Sequence, residues 1–485
     1  MDTSERLGRE SIPGLLVRFA IPAIVGMLAN ALYNIVDRIF IGHAVGHLGI
    51  AGISVVFPFM IFMYASSVLA GVGASSLMSI SLGERRTERA ERALGNGVLL
   101  LVLEAVALMI AGAVWRDDIL RVVGTSGAIL PYAREYYDII LWGALFSNIG
   151  VGLNYCIRAE GHPRFASATL VIGALSNVAL DALFIQGFGM GLKGAALGTV
   201  IAQGIAAAWA VSFYARRRGG VRFRTSSLVP SLSVLGRIVS VGSVPSLVEL
   251  TFTFIIGMVN RHLAHYGGDL AVSAMGIFFS LDSLLFVPVF GIGEALQPIV
   301  GYNFGARNHE RVIRTVRLAL IGATAYYVGS FVLVMTVPDV LMRLFTTQQD
   351  LIDLSAHCLR IGYSGVMFAG CSVVGSFFFQ GLGKARQGMI LSVARQFVFF
   401  IPPLFLLPLF FGVDGVYLSF PFADVGGGLL SLAMLRRQVR ALRLGAEASR
   451  PSSLSGEPAV PPEAPSACSV PCGRDESPAS CDPKA

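Results

Sequence analysis

The run Ala-Gly-Val-Gly-Ala-Ser at residues 70–75, followed by Gly-Glu-Arg-Arg at residues 83–86, has a near copy later in the chain. The copy reads Phe-Gly-Ile-Gly-Glu-Ala at residues 290–295, which is 220 positions further on, and Gly-Ala-Arg-Asn at residues 305–308. Both copies lie within strongly apolar sequence. The pattern therefore predicts a membrane protein that is built from two related halves.

A second match fixes the register of the two halves. Pro22 corresponds to Pro245, and Asp37-Arg38 corresponds to Asn260-Arg261, in both cases 223 positions apart. Halves that repeat in the same direction, each with an even number of spans, are related by a pseudo-two-fold axis along the membrane normal. Such a repeat predicts a substrate path between the halves that opens alternately to each side.

The composition excludes a soluble globular domain. Of the 485 residues, 54% are hydrophobic and 14% are charged, whereas about a quarter of the residues of a soluble domain are charged. The apolar runs are too long and too uniform for barrel strands, so they predict helices. We expect an all-α integral membrane protein with about twelve transmembrane helices, arranged as two six-helix lobes with pseudo-two-fold symmetry. The apolar runs lie near residues 18–41, 50–82, 93–115, 132–157, 165–188, 191–214, 238–262, 270–303, 313–337, 351–380, 387–411 and 414–435.

The distribution of polar and charged residues divides the chain further. The end of the chain is rich in Pro, Ser, Ala and Glu, a composition that buries too little apolar surface to fold. The predicted parts are a polar lead-in at 1–11, a first lobe at 12–214, a basic linker at 215–236, a second lobe at 237–435 and a disordered cytoplasmic tail at 436–485.

Arginines and lysines sort to one side of the predicted bundle. Arg85 follows the second span, Arg158 the fourth and residues 216–218 the sixth, whereas the connections at 42–49 and 411–415 carry none. By the positive-inside rule, both termini are cytoplasmic in a multi-pass protein of the plasma or inner membrane. The net charge of +7 then indicates contact with anionic membrane lipids rather than with nucleic acid.

Two carboxylates interrupt apolar helices of the first lobe. A charged side chain at mid-membrane costs about 2.5 to 3.5 kcal/mol on insertion scales, so it calls for a function. Asp37 lies in helix one and Asp181 in helix five, with Asn177 one turn before it and Thr199 in helix six. Together these side chains could hold a sodium ion or share a proton. The alternative is that Asp37 pairs with Arg38 and Asp181 bonds only to backbone.

The second lobe carries acidic residues without a counterpart in the repeat. Glu249 and Glu294 could meet a cationic substrate in the cleft, or could equally bond to serine or backbone at a kink. Asp282 and Arg395 could form a buried pair, which would be structural. Aromatic, methionine and amide side chains of helices one, two, seven and eight could contact flat cations, although helix packing or lipid contact would explain any single one. These cleft candidates are Tyr33, Asn34, Phe57, Phe59, Met60, Met63, Tyr64, Asn260, Phe278, Phe279 and Phe286.

These residues resemble the multidrug and toxic compound extrusion (MATE) family, which belongs to the multidrug/oligosaccharidyl-lipid/polysaccharide exporter superfamily. The resemblance covers about residues 10 to 440. It rests on Asp37, the Asn177-x3-Asp181 pair, Thr199, the run Gln-Pro-Ile-Val-Gly-Tyr-Asn-Phe-Gly-Ala at 297–306, and the glycine-containing turns at 158–161 and 380–383.

The resemblance implies two six-helix lobes that export organic cations or other amphipathic compounds in exchange for protons or sodium. It also implies that Asp37, Asn177, Asp181 and Thr199 form the cation site of the first lobe. Some relatives also use acidic residues of the second lobe, in helices seven and ten. Residues 366–380 of helix ten contain no carboxylate here, and the repeat partner of Asp37 is the neutral Asn260. Coupling is therefore expected to depend on the first lobe.

The predicted function is a secondary active multidrug efflux antiporter that works by alternating access. It is expected to act as a monomer, without a cofactor, on small drug-like or cationic compounds. No His-Glu-x-x-His helix and no phosphate-binding loop occurs in the sequence, so neither a metallohydrolase nor direct use of ATP is indicated. The alternative is a lipid-linked oligosaccharide flippase of the same superfamily. Such a flippase would need cationic side chains in the cleft to meet pyrophosphate.

Overall fold

Long apolar helices make up nearly all of the chain that the computed structural model describes, which is residues 5–45, 47–122 and 129–448. Eleven segments of this part are long and apolar enough to cross a membrane. One of them, Leu232–Gly305, contains two helices that join at Gly268, where φ is 66° and ψ is −165°. The described part therefore holds twelve membrane helices and no strand, which confirms the predicted fold class.

The helices are numbered in chain order; a short helix at Arg6–Arg9 precedes the first, and short helices at Arg116–Val122 and Pro338–Met342 lie between later ones. Their bounds are α1 Ile12–Ala44, α2 His47–Gly83, α3 Thr87–Val114, α4 Leu130–Ala159, α5 Pro163–Gly187, α6 Gly191–Ala215, α7 232–267, α8 269–305, α9 His309–Thr336, α10 Gln349–Gly381, α11 Ala385–Phe411 and α12 Val413–Ala448.

Proline occupies two kinds of position in these helices. Pro22 in α1 and Pro58 in α2 lie inside continuous helix, as do Pro245 and three further prolines in the second lobe. In α11, Pro402 and Pro403 instead lie in the first turn of Ile401–Leu406, directly after a π-helical turn at Ala394–Val398. A proline in the first turn sacrifices no helical hydrogen bond, because the N–H there has no intrahelical partner.

Each lobe has a hydrophobic core of its own. Tyr136 and Ile140 lie in the first lobe's core, and Phe278 and Phe378 lie in that of the second. A further cluster joins the lobes, since Ile157 of α4 packs in the same group as residues of α7 and α8. The two lobes thus fold around separate cores and also share a packed interface.

The lobes interlock at the side of the bundle that we call the basic face, where residues 84–86, 160–162, 216–231, 306–308 and 382–384 connect the helices. Gly83 of α2 packs directly on the backbone of Tyr302, and any side chain at residue 83 would overlap it. Close to this contact, the hydroxyl of Ser76 donates to the backbone oxygen of Gln380 at 2.6 Å. The helix ends at the basic face are therefore held in contact.

The connection between the lobes packs on the first lobe. The side chain of Asn96 in α3 donates to the backbone oxygen of Ser227 at 3.3 Å and accepts from the backbone N–H of Ser231 at 2.8 Å. The N-terminal segment is bound instead by the second lobe. Asn303 and Arg311 donate to the backbone oxygen of Leu7 at 3.0 and 3.1 Å.

The last helix runs further than the sequence suggested. α12 continues to Ala448, so residues 436–448 are helical rather than part of a disordered tail. Leu435 and Leu442 remain buried, at 2% and 4% exposure, which explains why the helix continues past the predicted boundary at 435. Residues 449–485, on which the rest of that prediction falls, lie outside the described residues.

Candidate functional site

An acid cluster lies within the first lobe. The carboxyl groups of Asp37 in α1 and Asp181 in α5 are in hydrogen-bonding contact, and the two residues are 8% and 0% exposed. The amide of Asn177 donates to Asp181 Oδ1 at 3.5 Å and to Thr199 Oγ1 of α6 at 3.3 Å. The structure thus brings together all four residues of the predicted cation site.

Local structure places these oxygens close together. Asn177 and Asp181 are one turn apart on α5, and the π-helical turn at Ala182–Gly187 begins directly after the aspartate. Gly198 of α6 lies against Asp181 Oδ1, where a side chain would overlap the carboxyl group. Because residue 198 has no side chain, α6 approaches closely enough for Thr199 to reach Asn177.

Tyr136 of α4 completes the cluster and was missed by the sequence reasoning. It is 1% exposed, and its hydroxyl hydrogen-bonds with Thr199 and lies within the electrostatic reach of Asp37, Asp181 and Tyr33. Aromatic residues are frequent in membrane helices, so the sequence alone gave no signal at this position. Tyr33, which was predicted as a cleft residue, therefore lies beside the acid cluster.

The cluster has the chemistry of a small cation site. Two carboxylates in contact repel each other, so a shared proton or a cation between them stabilises the arrangement. In the described part of the chain, Asp181 Oδ2 and Asn177 Oδ1 are buried and accept no hydrogen bond from a protein donor. Carboxylate, carboxamide and hydroxyl oxygens are ligands for hard cations. The site therefore offers several buried oxygen ligands in one place.

A second site is the cavity between the lobes, with a volume of about 110 Å³. Val68, Val72 and Tyr155 line it from the first lobe, and Glu249, Phe290 and Arg395 line it from the second. Tyr64 of α2 hydrogen-bonds with Tyr155 and lies within the electrostatic reach of Glu249. The structure thus places two predicted cleft residues, Glu249 and Phe286, in the lining of this cavity, and Tyr64 in contact with a third lining residue, Tyr155.

Other cleft candidates lie elsewhere. Phe59 and Met63 belong to the hydrophobic core of the first lobe, where Met63 is 2% exposed, and Met60 packs against the same core. The prediction that Met63 faces the cleft is therefore wrong, because its side of α2 turns inward. Phe279 stacks edge-to-face with Phe252 within the second lobe.

The remaining cleft candidates lie in different surroundings. Phe278 is buried in the second lobe's core, Phe286 lines the cavity, Phe57 is 41% exposed and Asn260 is half-buried. The side chain of Asn34 lies outside the described residues.

Glu294 does not face the cavity as an open carboxylate. It forms an ion pair with Arg158 of α4, and the two side chains are 6% and 4% exposed. The charge pattern predicted that Arg158 lies in a basic connection after the fourth span, but the structure buries it in the last turn of α4. Helix α4 thus extends past the predicted end of that span.

The predicted pair of Asp282 with Arg395 is also wrong. Asp282 accepts a hydrogen bond from the Tyr363 hydroxyl at 2.8 Å, and Arg395 donates to Asp424 of α12 at 2.8 Å. α11 and α12 are neighbours in the chain and in space, so Asp424, which had no predicted role, lies closer to the guanidinium.

Comparison with known proteins completes the assignment. One family model, MatE, matches the chain twice, over residues 22–183 and over residues 245–406. The two matches begin at Pro22 and Pro245, the pair that set the predicted register of the repeat. The chain belongs to the MATE family.

Several MATE proteins are similar over most of this chain. The multidrug export protein MepA of Staphylococcus aureus (strain MSSA476) is 25% identical over 409 residues, which covers 84% of this chain and 90% of MepA. MepA of Staphylococcus haemolyticus (strain JCSC1435) is 24% identical over 423 residues, which covers 87% and 93%.

Solved MATE structures agree in fold. The MATE multidrug transporter DinF-BH, solved in complex with R6G, is 35% identical with a TM-score of 0.85, and the match covers 91% of this chain and 99% of that chain. A MATE structure in complex with MaL6 is 24% identical with a TM-score of 0.87, and the match covers 92% and 100%. This MATE chain is therefore a multi-pass membrane protein with the family's two-lobe architecture.

Proposed function

We propose that this MATE chain is a secondary active antiporter that exports small amphipathic, often cationic, compounds in exchange for protons or sodium. The observation that carries the proposal is the contact between the carboxyl groups of Asp37 and Asp181 in a buried pocket. The relatives named above for multidrug export and multidrug transport support the substrate class. The Glu249 carboxylate and the aromatic rings that line the interlobe cavity support it as well, since the Arg395 guanidinium of the same lining is paired with Asp424.

The coupling ion would act through the repulsion between the two aspartates. Two like charges about 4 Å apart repel by about 4 kcal/mol at an effective dielectric constant of about 20. A proton or sodium ion that enters the cluster removes this repulsion and draws Asp37 toward Asp181. The repulsion returns when the ion leaves, so the state of the ion site controls the position of α1.

Helix α1 connects the ion site to the interface between the lobes. Toward the basic face, Ala20 and Ile24 of α1 pack against Gly291 of α8. A shift of α1 that accompanies ion binding at Asp37 therefore reaches a contact that holds the lobes together. By linkage, the ion and the substrate oppose each other's binding by the same factor.

We take the basic face to be cytoplasmic, in accordance with the positive-inside rule. The lobes are interlocked at this face, so the arrangement corresponds to the outward-facing state, from which substrate is released. Both lobes belong to one chain, so a monomer contains the complete path.

Flux in proteoliposomes tests the proposal. The purified protein is reconstituted, and uptake of an ethidium-like dye is measured under a pH gradient and, separately, under a sodium gradient. We expect one gradient to drive uptake, and we expect Asp37→Asn and Asp181→Asn to abolish that dependence. Asp118→Asn, at an exposed carboxylate outside the membrane helices, is the matched control.

Uptake that ignores both gradients, or that survives both cluster variants unchanged, contradicts the antiporter proposal. A flippase would instead move a labelled lipid carrier between leaflets without dye transport. The same vesicles can report both activities.

A further inference from the structure

A buried ion pair joins the two lobes at the inner end of the interlobe cavity. Arg158 lies in the last turn of α4 and places Nη1 against Oε2 of Glu294 in α8. Tyr155, about one helical turn before Arg158 on α4, lines the cavity. The Arg158 guanidinium lies 5.7 Å from the centre of the Tyr155 ring. The pair therefore lies between the cavity and the basic face.

Arg158 is fixed to the first lobe. Its Nη2 donates to Asn154 Oδ1 at 2.9 Å, and the Asn154 amide donates to the backbone oxygen of Ala166 in α5. These contacts lie within one lobe, so they persist when the lobes move apart. The guanidinium then stays with the first lobe, and the carboxylate of Glu294 leaves with the second.

Separation at the basic face would leave Glu294 without its counter-charge in apolar surroundings. A buried carboxylate in that position is strongly unfavourable unless a cation or a proton joins it. The neighbouring contacts between the lobes are neutral, such as the amide of Gln297 with the hydroxyl of Ser75 at 3.4 Å. The requirement for positive charge therefore falls on Glu294.

We propose that Glu294 binds the cationic group of the substrate while the cleft is open to the basic face, and that Arg158 takes the substrate's place when the lobes close. This inference rests on the export function proposed above and specifies its substrate class as organic cations. Substrate and guanidinium compete for one carboxylate, so closure of the basic face expels the cation toward the other side. Arg158 also blocks the return of the cation, because the closed state has no vacant carboxylate at this position.

The side chains of Tyr64 and Tyr155 would guide the cation from Glu294 to Glu249. Both tyrosines interact electrostatically with Glu294 and with Glu249, and aromatic rings attract cations. Glu249 lines the cavity on the second lobe. A cation displaced from Glu294 thus finds aromatic faces and a second carboxylate along the cavity.

Equilibrium binding separates the two partners of the pair. Ethidium binding to the full-length protein in detergent is measured by fluorescence for Glu294→Gln and Arg158→Met. We expect Glu294→Gln to weaken binding about tenfold or more, because the receiving charge is lost. We expect Arg158→Met to strengthen it, because the competitor is lost. Glu88→Gln, at an exposed carboxylate on α3, is the control.

A charge-swapped variant distinguishes substrate binding from a simple lock between the lobes. R158E combined with E294R restores an ion pair but reverses its polarity. Lobe closure is followed by the distance between spin labels at Glu88→Cys and Arg314→Cys, two exposed positions at the basic ends of α3 and α9, in a variant without native cysteines. In the charge-swapped variant, we expect the distance between the two labels to equal the wild-type distance, because an ion pair is again present. We expect ethidium transport by this variant to remain about tenfold below wild type.

Recovery of ethidium transport in the swapped variant would overturn the inference, and so would wild-type binding by Glu294→Gln or weaker binding by Arg158→Met. The binding experiment needs no ion gradient. If wild-type vesicles show no driven uptake, the export proposal fails, whereas the opposite effects of the two single variants on ethidium affinity still decide the role of Glu294.

Discussion

Gly198 of α6 lies directly against the Oδ1 atom of Asp181 in α5, with no room for a methyl group between them. This contact sets the spacing of α5 and α6 at the acid cluster, and with it the reach of Thr199 to Asn177. The geometry of the ion site therefore depends on the absence of a side chain as much as on the carboxylates.

Gly198→Ala should impair coupling without unfolding the lobe. An added methyl group in a packed site costs about 1 to 3 kcal/mol, and here it pushes the Asp181 carboxyl group away from its partners. We expect gradient-driven dye uptake to fall about tenfold. Gly204→Ala on the same helix is the matched control, because the nearest atoms to an added Cβ there are 3.9 to 4.0 Å away, on Phe146. Equal transport by the two variants would refute this account of α6.

Tyr136→Phe should weaken ion binding specifically. The change removes the hydroxyl that bonds to Thr199 and leaves the ring in place, at a cost of about 1 kcal/mol or somewhat more for a buried hydrogen bond. We expect transport to need a roughly five- to tenfold higher concentration of the coupling ion for half-maximal rate. The measurement is a titration of uptake rate against that ion.

The neighbouring tyrosine provides the comparison for this experiment. Tyr137 donates to the backbone oxygen of Gly112 at 3.1 Å, within the same lobe but away from the acid cluster. Tyr137→Phe should lower the melting temperature while leaving the ion dependence unchanged. If both variants shift the ion dependence alike, Tyr136 acts through general packing.

Asp424→Asn should destabilise the second lobe. The change leaves the guanidinium of Arg395 without its charged partner, and 38% of the arginine side chain is exposed, so the loss is about 2 kcal/mol rather than the larger value for a fully buried pair. Thermal unfolding in detergent measures it. Asp414→Asn is the control, because Asp414 pairs with His357 at the surface, where such pairs contribute about 0 to 1 kcal/mol.

Arg311→Ala should release the N-terminal segment from the second lobe. Arg311 donates to the backbone oxygens of Leu7 and Glu10 at 3.1 and 2.7 Å and to Asn303 Oδ1 at 3.0 Å. We expect faster proteolysis in the segment 5–10 and greater mobility of a spin label placed there. Arg314→Ala, at an exposed arginine one turn away on α9, should leave both unchanged.

Much of the fold could be predicted from the sequence because lipid imposes simple rules. Apolar length predicted the spans, and the repeat of Pro22 at Pro245 predicted the two halves, which the two matches to one family model confirm. Asn177 and Asp181 were recognisable because their spacing places them on one face of a helix. Both residues lie on one helix, so their proximity could be predicted without knowing which helices pack together.

The missed features all depend on which helices become neighbours. The partner of Glu294 is Arg158, on a helix of the other lobe, and the partner of Arg395 is on α12 rather than α8. Tyr136 joins the acid cluster only because α4 packs beside α6. Sequence spacing gives no distance between residues on different helices, so these assignments required the packed structure.

The contacts of Asn96 with Ser227 and Ser231 show where the chain could be divided without losing its architecture. The connecting segment adheres to the first lobe as far as Ser231, so two separately encoded polypeptides should meet there rather than after Ala215. A fragment that ends at Ser231 retains the contacts of the connecting segment with Asn96 of α3. A fragment that starts at Leu232 begins with a complete α7. Such co-expressed halves would show whether reassembly in the bilayer needs a covalent tether.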